Sequence, residues 1–190
     1  MKRTGVILAR LQPIHNGHLE LIKKSMKEND ETIIFVGSAD KFNGRNPIPI
    51  NLRMQMAKEA IEEMRENEKI YTYYKLVPLD DLSDESDNSH DWGFYLFSNV
   101  VKETGSDVFT IYYSDGFEII TTWFPPFILR NHVSLNLISR GAICNGISAT
   151  AIRQMIVNGD MDYLRKYVPA SVYEKQETLK EHINLAKLIK

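Results

Sequence analysis

The sequence predicts an α/β fold, a parallel sheet with helices on both faces. Three observations carry that expectation. Short β-rich apolar runs alternate with segments of helical period. Most of the runs are continuously apolar, as strands covered on both faces should be. The stretches between them are long enough for the right-handed crossover helices that a parallel sheet requires.

In chain order, TGVILAR (4–10) reads as the first strand and GHLELIKKSMKE (17–28) as the helix after it. ETIIFVG (31–37) is a second strand ending in glycine. NLRMQMAKEAIEEMRE (51–66) places Leu52, Met56, Ala60 and Met64 at helical spacing, with Asn51 as its N-cap. KIYTYYKLVPL (69–79) is a third strand. HDWGFYLFSNVVKET (90–104) reads as a helix despite Gly93. DVFTIYY (107–113) and NHVSLNLI (131–138) are further strands, separated by a helix that Pro125 and Pro126 cut short. From 149 onward the chain is helical in three pieces, broken at 158–160 and at Pro169. The expected domain is one unit, 1–190, with a helical C-terminal segment. The acidic, serine-rich patch at 79–91 is too short for a domain boundary and reads as a surface loop.

Composition narrows the function. At 43% hydrophobic and 25% charged residues, with a formal charge of -2, the chain is globular and has no basic excess for nucleic acid. No apolar stretch reaches membrane-spanning length, and the apolar part of the N-terminus is too short for a signal peptide. A cytoplasmic protein is expected. The single cysteine, Cys144, excludes an internal disulfide and a cysteine-based zinc cage. It reads as a small buried hydrophobe.

The segment ARLQPIHNGHLE (9–20) sets two of the chain's five histidines three apart around a glycine, at the carboxyl end of the first strand. One reading is structural: one histidine caps the helix and the other is an ordinary surface residue. A zinc pair is disfavoured, because a helical metal pair needs spacing i, i+4 and no third ligand is evident. A third reading uses the position. Ligands bind beyond the carboxyl ends of strands in such folds. Gly17 permits close approach to the backbone, and the first-turn N–H groups suit phosphate. His15, His18 and Arg10 would add donors and charge. Near the other end, NGISATAIRQMI (145–156) opens a second helix with Ser148 and Thr150 and projects Arg153. An ordinary N-cap followed by a solvated arginine is the alternative there.

HNGH (15–18) together with ISATAIR (147–153) resembles the signature pair of the nucleotidyltransferase superfamily, which transfers AMP or CMP from a nucleoside triphosphate. RLQPIHNGH from Arg10, VGSA from Val36, RNP from Arg45 and YLRKYVP from Tyr163 are similar to segments of the archaeal nicotinamide-nucleotide adenylyltransferases. The resemblance covers most of the chain. Departures are Leu11 where Phe is usual, Ala149 where Gly is common, and the turn Ser114, Asp115, Gly116.

The resemblance implies a Rossmann-like fold of the nucleotidyltransferase (HxGH) type and the reaction of ATP with NMN, or nicotinate mononucleotide, to a dinucleotide and pyrophosphate. The attacking phosphate oxygen is already ionised, so positioning and electrostatic stabilisation suffice without a general base. The implied catalytic residues are His15, His18, Arg10 and Arg153. Leu11, Gly17, Ser148 and Thr150 would bind ATP. Mg2+ would ride on the phosphates with no protein metal ligands. For the acceptor, Arg45 could meet a phosphate or be a solvated loop residue. Asn46 could bind substrate or serve turn chemistry before Pro47. Trp92 could stack on the pyridine ring or belong to the core. Asp80 and Asp81 could accept from the carboxamide or ribose, or lie in a solvated loop. A homo-oligomer is also implied. The competing functions are a cytidylyltransferase or other adenylyltransferase with a different phosphate acceptor, and a non-catalytic nucleotide-sensing module.

Overall fold

A computed structural model describes residues 2–82, 89–139, 141 and 146–189. Five parallel strands form one sheet in the order β3-β2-β1-β4-β5. They are β1 (Thr4–Ala9), β2 (Glu31–Val36), β3 (Tyr73–Pro78), β4 (Phe109–Ser114) and β5 (Val133–Ile138). The connections carry α1 (Asn16–Glu28), α2 (Ile50–Glu68), α3 (His90–Thr104), α4 (Ile120–Trp123) and α5 (Pro126–Asn131). The C-terminal segment adds α6 (Ala149–Asn158), α7 (Met161–Tyr167), α8 (Ala170–Tyr173) and α9 (Gln176–Ala186).

The strand alternation splits the core into two layers, because successive side chains point to opposite faces. Ile7, Ile34, Val36 and Tyr112 pack with α1, α2 and the C-terminal helices. Val6, Ile33, Phe35, Ile111 and Tyr113 pack with α3, α4 and α5. Every residue of β2 is buried, Glu31 and Thr32 included, which is why its sequence shows no apolar–polar alternation. The C-terminal segment shares the first layer through Ile152, Leu164, Val172 and Leu179.

Several element boundaries shift from the sequence expectations. The N-cap of α2 is Pro49, not Asn51, whose Oδ1 accepts from the Leu52 N–H at 2.9 Å. Strand β3 starts at Tyr73 rather than 69, because α2 runs on to Glu68 and Lys69 closes it in the left-handed conformation (φ 54°). Strands β4 and β5 each start two residues late. The third C-terminal piece is two helices, α8 and α9. Gly93 is explained by packing: a Cβ there would lie 2.1 Å from the Trp123 carbonyl oxygen, so α3 can approach α4 only with glycine. Cys144 and residues 83–88 of the acidic patch lie outside the described residues. Among the described residues no helix is long and apolar enough to cross a membrane.

Candidate active site

The sheet order reverses at β1, whose neighbours β2 and β4 are reached by connections running in opposite directions. The carboxyl ends of strands at such a point leave a crevice between the diverging loops. A cavity of 460 Å³ opens there, a size suited to a small-molecule ligand. His15, His18, Arg10, Arg153, Leu11, Gly17, Ser148, Thr150, Arg45 and Trp92 all line it. Residues separated by more than 130 positions in sequence are therefore wall to wall.

Two helix N-termini meet this cavity. His15 is the N-cap of α1, in extended conformation, and His18 is its third residue. The His15 backbone N–H donates to His18 Nδ1 at 3.3 Å, and the two rings lie 3.7 Å apart, tilted by 30°. A backbone N–H can only donate, so Nδ1 of His18 is the accepting nitrogen and Nε2 carries the proton. The pair thus closes the capping box of α1 while both rings line the cavity. Gly17 has a packing reason as well: a Cβ would sit 3.0 Å from Cε1 and Nδ1 of the His15 ring. On α6, Ser148 is the N-cap and its side chain accepts from the Ala151 N–H at 3.2 Å.

The cationic wall is preorganised. Arg153 Nη1 donates to the Gln12 carbonyl at 2.9 Å and Nη2 to Thr150 Oγ1 at 3.2 Å. Burial first, then repulsion from Arg10, pushes the Arg153 guanidinium below its usual value. Neither Arg10 nor Arg153 has a carboxylate partner among the described residues. Like charges held together without counter-charge are relieved by a bound polyanion. Among the described residues no group of three His, Cys, Asp or Glu is arranged to hold a metal ion.

The opposite wall is aromatic and acidic. Trp92 stacks on Trp123 with centroids 5.3 Å apart, and Phe117 meets Trp123 edge-on. Tyr95 packs edge-on to Trp92, and its hydroxyl is pushed upward by burial and by Asp80, Asp40 and Asp81. Two expected acceptor residues stand off the cavity. Asn46 is fully buried, and its N–H donates to the carbonyl and Oδ1 of Asn43, so it serves the turn before Pro47. Asp80 is exposed, and its contribution here is a carbonyl accepting from Tyr95. Asp81 lines the cavity instead and accepts from Ser38 Oγ at 3.0 Å. Trp92 is 7% exposed, both a core residue and a wall.

Three contributors were missed at the sequence level. Gln12 is buried and pairs with the backbone of Ile48 in both directions, clamping the 38–50 loop. Trp123 lies in the segment read only as an interrupted helix. Arg53 lies in the first turn of α2 and was not singled out in the sequence, yet it is fully buried. Its one sequence signal was its place one helical turn before the core residues Met56 and Ala57.

A cytidylyltransferase-like family model matches residues 9–155, from the end of β1 into α6. The chain is 31% identical over 180 residues to the nicotinamide-nucleotide adenylyltransferase of Thermococcus kodakarensis, spanning 92% of this chain and 82% of that one. It is 30% identical over 175 residues to the enzyme of the same name from Picrophilus torridus, spanning 87% and 85%. Among solved structures, a bifunctional NMN adenylyltransferase/ADP ribose pyrophosphatase from Francisella tularensis, complexed with AMP and a manganese ion, superimposes with a TM-score of 0.68. The identity is 20%, over 98% of this chain and 52% of that one, so this chain spans about half of the bifunctional protein. A putative nicotinate-nucleotide adenylyltransferase from Vibrio parahaemolyticus gives a TM-score of 0.61 at 14% identity, over 93% and 99%. At such identities these structures speak to the fold alone.

Proposed function

The chain belongs to the cytidylyltransferase-like family and, within it, to the nicotinamide-nucleotide adenylyltransferases, and from this premise we propose that it joins ATP and NMN into NAD and pyrophosphate. The observation that carries the reading at this site is the pair Arg10 and Arg153, two arginines on one cavity without a carboxylate partner among the described residues. A triphosphate is the counter-charge that such a wall lacks.

In the reaction, an NMN phosphate oxygen attacks the α-phosphorus of ATP. One P–O bond forms, the bond to the bridging oxygen breaks, and pyrophosphate leaves with the electron pair. The nucleophile is already ionised, so the protein's work is alignment and charge stabilisation. His18 donates through Nε2, the nitrogen its capping bond leaves as donor, and His15 lies beside it. Arg153, held by Gln12 and Thr150, and Arg10 take up charge on the departing phosphates. The Ser148 hydroxyl accepts from the backbone and retains its own proton to donate toward the phosphate tail. A divalent cation carried by the triphosphate would offset charge on its oxygens, beside the donors of His15, His18, Arg10 and Arg153. The cavity's nitrogen-rich wall suits the anion rather than a metal cage.

The acceptor lies toward Trp92, Trp123 and Asp81, with Arg45 near its phosphate. NMN carries a cationic pyridinium ring, and an aromatic surface beside an acidic group suits such a ring. One catalytic unit spans residues 1–190, and the enzyme works in the cytoplasm as a homo-oligomer.

The test is pyrophosphate release with ATP or CTP, crossed against NMN, nicotinate mononucleotide, FMN and phosphopantetheine. ATP with NMN gives the highest kcat/KM. A higher value for CTP, or for a non-pyridine acceptor, overturns the substrate assignment, and no turnover with any pair points to a nucleotide sensor.

A further inference from the structure

We propose that Arg53 is a positioning residue for nucleotidyl transfer, a buried fork that sets the two substrate-facing loops at the ends of β1 and β2. Arg53 is absent from the cavity wall and 0% exposed, so it touches no substrate. From the first turn of α2 its Nη1 donates to the carbonyls of Arg10 (2.7 Å) and Gly37 (2.8 Å), and its Nη2 to that of Ser38 (2.9 Å). Arg10, Gly37 and Ser38 all line the cavity.

These carbonyls belong to backbone that needs holding. Leu11 and Ser38, each at the turn out of its strand, have φ of 50°. Left-handed conformations are strained for residues with a side chain and persist where the surroundings enforce them. The carbonyls also converge on one point, because the Gly37 N–H bonds to the Ala9 carbonyl and carries the β1–β2 pairing one residue further. A planar guanidinium meets three convergent acceptors from one rigid group, whereas an ammonium is a compact point charge on a flexible stem.

The charge is expensive where it stands. Burial, then Arg10, pushes the guanidinium down to about 10, while Asp81 pulls the other way. No carboxylate pairs with it among the described residues. An apolar side chain would pack at less cost but would take the donor from the Arg10 and Gly37 carbonyls and leave that of Ser38 with only the Lys41 N–H at 3.3 Å. Arg10 would then lose the support of its own carbonyl, and Ser38 would lose the geometry by which it reaches Asp81 at 3.0 Å. The cationic wall and the acceptor wall would drift together.

This inference rests on the nucleotidyl-transfer reading, and its experiment keeps the two separate. Arg53→Lys and Arg53→Met are compared with the wild type on whichever nucleotide and acceptor the wild type turns over best, beside thermal melts. Wild-type inactivity with ATP and NMN would count against the substrate assignment alone. Positioning predicts that kcat of the Met variant falls on the order of 100-fold, the scale of a misplacement of about 1 Å. The lysine variant should recover part of that loss, and both KM values should move far less than kcat. Wild-type kcat in the lysine and methionine variants, or a loss confined to KM, overturns the proposal. So does loss of the folded state in both, which would make Arg53 a support of the core and nothing more.

Discussion

Arg153 Nη1 donates to the Gln12 carbonyl at 2.9 Å, joining the start of α6 to the loop that follows β1. The same Gln12 clamps Ile48 through its side chain, so two loops and the start of α6 meet at one residue. The arginine is therefore aimed before any ligand arrives, with its second nitrogen steadied by Thr150.

From that geometry, Arg153→Lys should fold normally and turn over poorly. Lysine keeps the charge but cannot hold the Gln12 carbonyl and two phosphate oxygens at once. We expect kcat to fall by roughly 10- to 100-fold, about 1.4–2.7 kcal/mol of transition-state stabilisation. Steady-state kinetics beside a thermal melt decide the matter, and unchanged kcat would reduce Arg153 to a solvated arginine of α6.

Trp92 carries two duties, and the choice of variant separates them. Its ring stacks on Trp123 and is 7% exposed, so Trp92→Ala removes a core residue as well as a cavity wall. That change should cost about 3–5 kcal/mol of stability, and kinetics on the alanine variant alone would be uninformative. Trp92→Phe retains an aromatic face at smaller volume. It should raise KM for NMN while leaving KM for ATP nearly unchanged. Equal shifts in both constants would place Trp92 in the core only.

The strands and helices that shape the cavity were legible because their residues obey one period at a time. The run ETIIFV is buried along its whole length, and helix 90–104 carries its apolar residues at helical spacing. The cavity wall of histidines and Arg153 was legible because it is built from local motifs, HNGH and ISATAIR, each on a single helix start. The aromatic wall was legible in part, at Trp92 and Asp81 but not at Trp123. Trp123, at the end of α4, and Gln12, in the loop after β1, reach the cavity from segments whose mutual placement depends on the sheet order, which no local pattern carries. Asp80 and Asp81 are neighbours in sequence, and only the turn after β3 decides which faces inward. Arg53 escaped for a related reason. Charged residues are almost never fully buried unless paired, and its partners are carbonyls on other elements.

Stability should be lost in acid through a few partnered carboxylates. Tyr74 donates to Glu62 at 2.6 Å, and this bond lowers the Glu62 carboxyl below its ordinary value of 4.5 against an opposing effect of burial. Glu28 is lowered likewise, first by its bond from Lys24, then by that from Tyr112. A carboxyl depressed in the folded state stabilises fully above its unfolded value and less as pH falls through the folded one. Tyr74→Phe should therefore cost stability at pH 7, with the gap from wild type narrowing by pH 3. Urea midpoints at the two pH values test this. A gap of equal size at both would show that the phenol contributes only through packing.

The two histidines make the most demanding prediction, because their structural and chemical duties are entangled. His15 caps α1, and its N–H holds His18 Nδ1, which leaves Nε2–H of His18 as the donor. Removing one preorganised donor to developing charge costs about 2.7–4 kcal/mol, or roughly 100- to 1,000-fold in rate. His18→Ala should lose that much kcat and little stability, since it leaves the N-cap residue in place. His15→Ala should lose turnover and, with it, about 1 kcal/mol of helix capping. Gly17→Ala is the companion variant that keeps both imidazoles in the chain but crowds one of them. Its Cβ would press on the His15 imidazole from 3.0 Å, so turnover should fall even though alanine favours the helix by about 1 kcal/mol. Each variant is measured with magnesium present, with and without a zinc-selective chelator, beside its thermal melt. Near-normal turnover in both histidine variants, or activity that follows bound zinc, would sink this account of why the chain sets two histidines around one glycine.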